Sequence, residues 1–260
     1  MGQYFIGVNL DDRYWIDPQK MHDSAKALEI GSNYCGIMTG IVSMLGAGAW
    51  GNKRLALLGD YTTPDDKINN LNTTWGKAVS VGLSSEGISP YRVVKDSKAW
   101  VDISKLARHI SYRTGRVGPS FSGVETRKLG LGLRHSVIFN ETKREMLNPE
   151  KFGDFLDWED FVVSPRGGIL SALAGLLLTS NGRGSGDYSQ HPLIGLWAGD
   201  NISIRDFSST SGKDISIYVQ PILTQNFNVK FKIADNGQWA RYTHVPATGK
   251  SEWITSSGLI

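Results

Sequence analysis

The sequence has almost no cysteine. A single residue, Cys35, in 260 leaves no intramolecular disulfide framework and no Cys-rich zinc site, and it reads as a packed core residue. The five histidines (His22, His109, His135, His191 and His244) show no metal-binding spacing such as HxxxH, so no metal and no cofactor is expected. A GxSxG elbow and a convincing Cys–His pair are both missing. Long apolar runs are missing too. The longest, Ile169 to Leu178, is interrupted by Ser171 and falls far short of the ~20 residues that span a bilayer. The opening MGQYFIGVNLDD lacks the basic and apolar regions of a secretory signal. Ile6 stands where a myristoylation motif needs Ser or Thr. These absences point to a reducing, cytoplasmic setting without membrane association, in which the sequons at Asn72, Asn140 and Asn201 carry no weight.

Charge is present but uneven. The net value is only +3, yet the stretch from Arg92 to Arg144 holds twelve Lys/Arg against four Asp/Glu, leaving −5 for the rest. A basic middle can attract an anionic small molecule, nucleic acid or an acidic protein partner. It can equally be a solvated surface around a connecting segment, and it shows none of the aromatic interleaving of RNA-binding surfaces.

Two stretches of the chain resemble each other in a fixed order. VNLDDRYWIDPQKMHD (Val8 to Asp23) matches IFNETKREMLNPEKFGD (Ile138 to Asp154), with Asn9 on Asn140, Arg13 on Arg144, Asp17 on Asn148, Pro18 on Pro149, Lys20 on Lys151 and Asp23 on Asp154. GIMTGIVSML (Gly36 to Leu45) then matches GILSALAGLL (Gly168 to Leu177). AWGNKRLALLGDYT follows against LWAGDNISIRDFS, with Trp50 on Trp197 and Asp60 on Asp206, and VDIS (Val101 to Ser104) echoes KDIS (Lys213 to Ser216). Five weak matches in one order predict an internal duplication. The repeats diverge where LTSNGRGSGDYSQHPLIG is inserted before Trp197, and insertions at one point of a repeat are often functional.

Each repeat reads as hairpin, buried helix, strand. Apolar runs around polar centres suggest the hairpins. The Asp-Pro and Asn-Pro steps end them, because proline lacks the ladder donor. Ser164-Pro165 has the form of a helix start, and the stretch behind it is apolar on nearly every side. RLALLGD and NISIRDF are short alternating strands. ISIYVQPIL, FNVKFKIA and QWARYTHV read as further strands, with Asp235-Asn236-Gly237 as a hairpin turn. The expected fold is therefore α+β, a pseudo-twofold duplication with an extra C-terminal antiparallel hairpin. Its parts are 1–104 (first repeat), 105–134 (linker), 135–216 (second repeat) and 217–260, within one compact domain.

MGQYF, VNLDDRYWIDPQK and above all NGRGSGDYSQHPLIGLWAGDNISI resemble a group of uncharacterised bacterial and phage proteins. Those begin MGQY and carry a Gly-rich NGRGGGD loop before a WAGD segment. The resemblance covers Ile138 to Phe207 and, more loosely, the first repeat, which has no Gly-rich loop. It implies a site present once, and supplies an address without a function.

The Gly-rich run Asn181-Gly182-Arg183-Gly184-Ser185-Gly186-Asp187 is the main candidate site. Glycines allow close backbone approach and can turn successive amides on an anion. Asn181, Arg183, Ser185 and Asp187 are the candidate ligand contacts, Arg183 by a bidentate grip on phosphate or carboxylate. The bland alternative is a surface loop leaving a helix. The run is no Walker loop, since it trails a helix and no Gly-Lys-Ser/Thr follows. GAGAWG (Gly46 to Gly51) matches a dinucleotide fingerprint by letters only, because a helix-like segment precedes it and a strand follows. Asp60 and Asp206 are weak catalytic candidates, as acid and base or metal ligands if the duplication brings them to one crevice; otherwise they are strand-to-turn caps. Trp50 and Trp197 read as core or hinge packing, and Asp23 and Asp154, with Lys20 and Lys151, as making repeated structural hydrogen bonds or ion pairs. The leading expectation is a non-enzymatic binding protein for an anionic ligand or partner. The alternatives are a hydrolase or transferase acting on a phosphorylated or glycosylated substrate, and a self-assembling homo-oligomer.

Overall fold

The computed structural model describes residues 3–21, 25–30, 36–63, 89–113, 136–152, 169–180, 193–219, 230–233, 239–245, 250–255 and 258–259. It begins with a hairpin of β1 (Phe5–Asn9) and β2 (Tyr14–Ile16), in which Asn9 faces Tyr14. Asn9 makes the turn: its Oδ1 accepts from the backbone N–H groups of Asp11 and Asp12, each at 3.1 Å. This local bond competes with the strand ladder, so the alternation breaks at Leu-Asp-Asp. Arg13 closes the turn in the left-handed region, with φ 58°. A short helix, α1 (Ala27–Ile30), precedes α2 (Gly36–Gly46), which carries no charge and is buried from residue 37 to 45. At Gly7 a Cβ would come within 3.1 Å of Ile41, so glycine lets α2 lie against β1. β3 (Lys53–Gly59) then returns antiparallel to β1. Helix before and strand after is the reverse of what a dinucleotide fingerprint needs, so GAGAWG is an accident of letters.

α3 (Pro90–Asp96) starts as a Ser-Pro step predicts, with Ser89 as N-cap and proline in the first turn. β4 (Val101–Asp102) pairs parallel to β2, and α4 (Ser104–Arg113) follows directly. Asp102 starts α4 by accepting the Ser104 N–H at 2.9 Å, and its other oxygen takes Lys20 at 2.5 Å. α4 occupies the beginning of the segment read as a linker, and it buries Ala107 in the main core; residues 114–135 lie outside the described ones.

β5 (Ser136–Asn140), β6 (Glu145–Leu147), α5 (Ile169–Leu177), β7 (Asn201–Asp206) and β8 (Lys213–Asp214) carry the same local bonds. Asn140 Oδ1 accepts the Lys143 N–H at 2.9 Å, and Arg144 again has φ 58°. The Asn148 N–H donates to Ser216 Oγ at 2.8 Å, as the Asp17 N–H does to Ser104 Oγ, also at 2.8 Å. Lys151 pairs with Asp214 at 2.7 Å, where the first half has Lys20 and Asp102. All nine residues of α5 are buried. The fold is α+β, with one mixed eight-stranded sheet in the order β4-β2-β1-β3-β7-β5-β6-β8. β3 and β7 meet in the middle through Lys53 opposite Ile202 and Arg54 opposite Asn201.

The main core lies on the sheet face covered by α2, α4 and α5, and includes Phe5, Leu55, Leu57, Ile138, Ile202, Trp50 and Trp197. The opposite face of the first half packs Ile6, Val8, Trp15 and Leu58 against Val93, Val94 and Trp100. Trp50 and Trp197 are thus core residues, as expected.

Two expectations need correction. The run Ile215 to Leu223 does not begin as a strand: residues 216–219 are helical. Asp214 Oδ1 accepts the Ser216 N–H at 2.9 Å, the same cap that starts α4, and this local bond overrides the alternation. The C-terminal part is also more than a hairpin. β9 (Lys230–Ile233), β10 (Trp239–Val245), β11 (Lys250–Thr255) and β12 (Gly258–Leu259) form a four-stranded antiparallel sheet. Among the described residues, no helix is long and apolar enough to cross a membrane.

Candidate functional site

Three segments distant in sequence meet at the far end of β3. Gln3 stands two residues before β1, Thr62 three residues after β3, and Thr179 and Ser180 directly behind α5. The chain leaving α5 runs beside β3, with Leu178 bridged to Leu57 and the Thr179 N–H on the Leu57 carbonyl at 3.0 Å. That route brings the hydroxyls together. Thr62 Oγ1 lies 2.6 Å from Thr179 Oγ1 and 3.0 Å from Ser180 Oγ. Thr179 Oγ1 donates to the Leu57 carbonyl at 3.1 Å, and the Gln3 Nε2 group donates to Ser180 Oγ. The Gly59 N–H reaches Thr62 Oγ1 at 3.1 Å. All four side chains are buried, and Gln3 Oε1 has no donor among the described residues. Gly59 leaves the space for this assembly: a Cβ there would stand 2.1 Å from Gln3 Nε2 and 2.6 Å from Ser180 Oγ.

The cluster ends at Ser180, and Asn181 begins the Gly-rich run. Asn181, Arg183, Ser185 and Asp187 themselves lie outside the described residues. Gln3 belongs to the opening MGQY and bonds to Ser180, the residue before Asn181. Sequence reading missed this meeting. Gln3 lies in MGQY and Thr179 in the insertion before Trp197, Thr62 lies in neither, and only the packing of α5 beside β3 brings the three together.

The Trp197-Ala198-Gly199-Asp200 segment makes a second buried polar cluster. The Trp197 indole N–H donates to Glu145 Oε2 at 2.8 Å. Gly199 has φ 83°, a left-handed turn that sends Asp200 under the sheet seam. Asp200 is fully buried; its Oδ2 accepts from Asn140 Nδ2 at 2.8 Å and pairs with Lys143. The Lys143 ammonium also donates to the Leu196 carbonyl at 2.8 Å. Strand register gives the matching positions in the first half, because Asn9 faces Leu55 as Asn140 faces Ile202. Those positions are Asp12 and Lys53, paired at 2.9 Å with Asn9 Nδ2 on the Asp12 carboxylate at 2.9 Å. The hydrogen bond from Lys53 holds the Asp12 carboxyl below its ordinary value. The pair recurs with its charges exchanged. Trp50 matches Trp197, but Tyr14 stands where Glu145 would be, and Trp50 Nε1 finds no acceptor among the described residues.

Asp60 and Asp206 are not brought together. β3 and β7 overlap only at their starts and run in opposite directions, so their far ends lie on the order of 30 Å apart. The register also matches Asp206 with Gly59, since Ser136 faces the one and Phe5 the other. Each aspartate acts locally. Asp60 exchanges bonds with the Tyr4 backbone at 2.9 and 3.0 Å, and Asp206 caps the following turn through the Ser208 N–H at 2.8 Å. Among the described residues no group of three or more His, Cys, Asp and Glu side chains is placed to hold a metal ion.

Glu145 is a buried carboxyl with a displaced titration. Burial raises it above the ordinary value, while the Trp197 hydrogen bond and the nearby Lys213 and Lys143 lower it. Burial in turn lowers the Lys213 ammonium, opposed by Glu145. A carboxyl raised in the folded state favours folding while protonated, and that contribution is lost as pH rises through its folded value. Glu145→Gln keeps an acceptor for Trp197 and removes the charge. Its melting temperature is expected to gain on the wild type as pH rises from 4 to 8, then level off. Thermal melts of both proteins across that range check this; a gap that stays constant with pH would contradict it. No protein-family model, curated protein or solved structure matches the chain.

Proposed function

We propose that the chain is a non-enzymatic binding protein built by internal duplication. It receives an anionic ligand or partner where Gln3, Thr62, Thr179 and Ser180 converge, with Arg183 of the adjoining Gly-rich run supplying positive charge. The observation that carries this reading is the convergence of three separate segments on the residue before Asn181, with one buried polar atom left over. A core needs no such cluster, because burying polar side chains costs free energy unless every group is paired. The duplication is supported by the repeated turns, caps and ion pairs on either side of the β3–β7 seam. The inserted Gly-rich run then makes the site single. A hydrolase or transferase joining Asp60 to Asp206 finds no support in the strand directions.

Thermal melts against inorganic phosphate, nucleotides, phosphorylated sugars and short nucleic acids test the reading. An anion at 100 times its dissociation constant should stabilise by about 2.7 kcal/mol. Arg183→Ala should abolish that shift and leave the unliganded melting temperature nearly unchanged. A shift undiminished in Arg183→Ala removes Arg183 from the site, and a panel without any shift removes the anion.

A further inference from the structure

We propose that Lys213 is a covalent binding site for a small aldehyde or ketone, which its side-chain amine takes up as an imine while Glu145 moves the protons. This site lies at the outer edge of the second half of the sheet and does not involve the Gln3 cluster.

Placement carries it. β8 is the last strand of the sheet, beside β6, and Lys213 is the register partner of Glu145 on the parallel ladder between them. Such partners show their side chains on the same face, on backbones about 4.8 Å apart. Glu145 is 8% exposed and is held through one oxygen, where the Trp197 indole N–H donates to Oε2 at 2.8 Å. Its Oε1 has no hydrogen-bond partner among the described residues and is not sealed from solvent. Lys213 is half-buried, and its ammonium makes neither a hydrogen bond nor an ion pair among those residues. Other lysines of the structure behave differently: Lys20, Lys53, Lys95, Lys143 and Lys151 each pair with an aspartate. Lys213 and Glu145 thus face each other without closing into an ion pair. A carbonyl group entering from the sheet edge meets both.

Their surroundings suit the reaction. A neutral amine attacks a carbonyl and an ammonium does not. Burial lowers the Lys213 ammonium, opposed by Glu145. Burial raises the Glu145 carboxyl, opposed by the Trp197 hydrogen bond and the two nearby lysines. Both groups are therefore displaced toward their neutral forms. The other charges near Glu145, Lys143 and Asp200, are paired with each other. From the neutral pair, the amine nitrogen bonds to the carbonyl carbon as Glu145 gives its proton to the carbonyl oxygen. The carboxylate takes a proton back from the nitrogen and passes it to the new hydroxyl, which leaves as water. It then recovers the last nitrogen proton, so the products are the imine, one water and Glu145 as it began. Across the seam, Tyr14 and Val101 are the corresponding register partners, without an amine or a carboxyl, so the site exists once.

Propanal with sodium cyanoborohydride, which reduces the imine as it forms, tests this on the full chain, read by peptide mass mapping. At pH 7 Lys213 is expected to be alkylated about a hundredfold faster than the exposed Lys98 and Lys105, the low end for general acid–base catalysis. Glu145→Gln then separates proton transfer from burial alone. It keeps an acceptor for Trp197 and removes the carboxylate that favours the ammonium, so a merely buried lysine would react as fast or faster. Proton transfer by Glu145 requires the opposite: Lys213 should lose its advantage while Lys98 and Lys105 react as before. An unliganded melt establishes that the variant is folded. Alkylation of Lys213 no faster than that of Lys98 and Lys105 in the wild type would overturn the site. So would an advantage that survives undiminished in Glu145→Gln.

Discussion

Asp200→Ala is expected to destabilise the protein by about 3 kcal/mol, the lower end of the range for breaking a buried ion pair. Asp200 is wholly buried, and its Oδ2 holds both Asn140 and Lys143. Alanine leaves the Asn140 amide and the Lys143 ammonium without that oxygen. The cost stays below the top of the range for two reasons. The Lys143 side chain keeps 26% exposure, and its ammonium keeps the Leu196 carbonyl. Asp200 Oδ1 also has no partner among the described residues, so its removal relieves one cost. Asp200→Lys should be worse than alanine, because it sets two ammonium groups against each other under the seam.

The decisive protein is the double exchange Lys143→Asp with Asp200→Lys. It recreates at 143 and 200 the arrangement of Asp12 and Lys53, in which the asparagine of the turn donates to the aspartate at 2.9 Å and the lysine pairs with it at 2.9 Å. Chemical denaturation of the wild type, the two singles and the double gives the coupling between the positions. The double should recover most of the stability lost by Asp200→Lys. A double no better than the sum of its singles would show that the two pairs do not occupy equivalent places. The internal duplication would lose its strongest support with it.

Most of this sheet was legible in the sequence, and the parts that were not share a cause. The hairpins at Val8 and Ile138, the buried helices and the strands before Asp60 and Asp206 follow from local patterns: apolar runs, a turn-making asparagine, a proline that ends pairing. The echo of VDIS in KDIS was visible as letters but not as structure. Its aspartates cap the helical turns at Ser104 and Ser216 and hold Lys20 and Lys151, while its strands are two residues long and form only because β2 and β6 offer an edge. Asp214 shows the limit of periodicity. Ile215, Ile217 and Val219 alternate as a strand would, yet a single cap turns them into a helix. The exchanged ion pair was hidden because alignment by residue type penalises Asp against Lys, whereas geometry asks only for opposite charges. The meeting of Gln3, Thr62, Thr179 and Ser180 was not legible, although two of the stretches that supply them were singled out. It is made by tertiary packing of α5 beside β3, a contact spanning more than a hundred residues.

Gly195→Ala should cost about 3 kcal/mol, and it tests how the candidate site is held. Gly195 has φ 74°, a conformation that costs other residues roughly 1–2 kcal/mol. A Cβ there would also stand 2.6 Å from the Leu178 carbonyl oxygen, a backbone atom that cannot turn aside; forcing a packed interior apart costs about 1–3 kcal/mol more. Gly48 provides the control. Its φ is 76°, but nothing lies within 4 Å of its Cβ position, so Gly48→Ala should carry the backbone cost alone. The difference in melting temperature between the two variants thus isolates the clash with Leu178. That clash has a direction. Leu178 is bridged to Leu57, and the next two residues are Thr179 and Ser180, whose hydroxyls meet Thr62. Pushing Leu178 away from Gly195 therefore drives the Thr179 and Ser180 hydroxyls out of register with Thr62. Gly195→Ala should weaken the anion-induced thermal shift as well as stability, whereas Gly48→Ala should lose stability and keep the wild-type shift. Equal stability losses in the two variants would mean that the Leu178 carbonyl yields without cost. Unchanged binding in a destabilised Gly195→Ala would separate the ligand site from the hydroxyl chain.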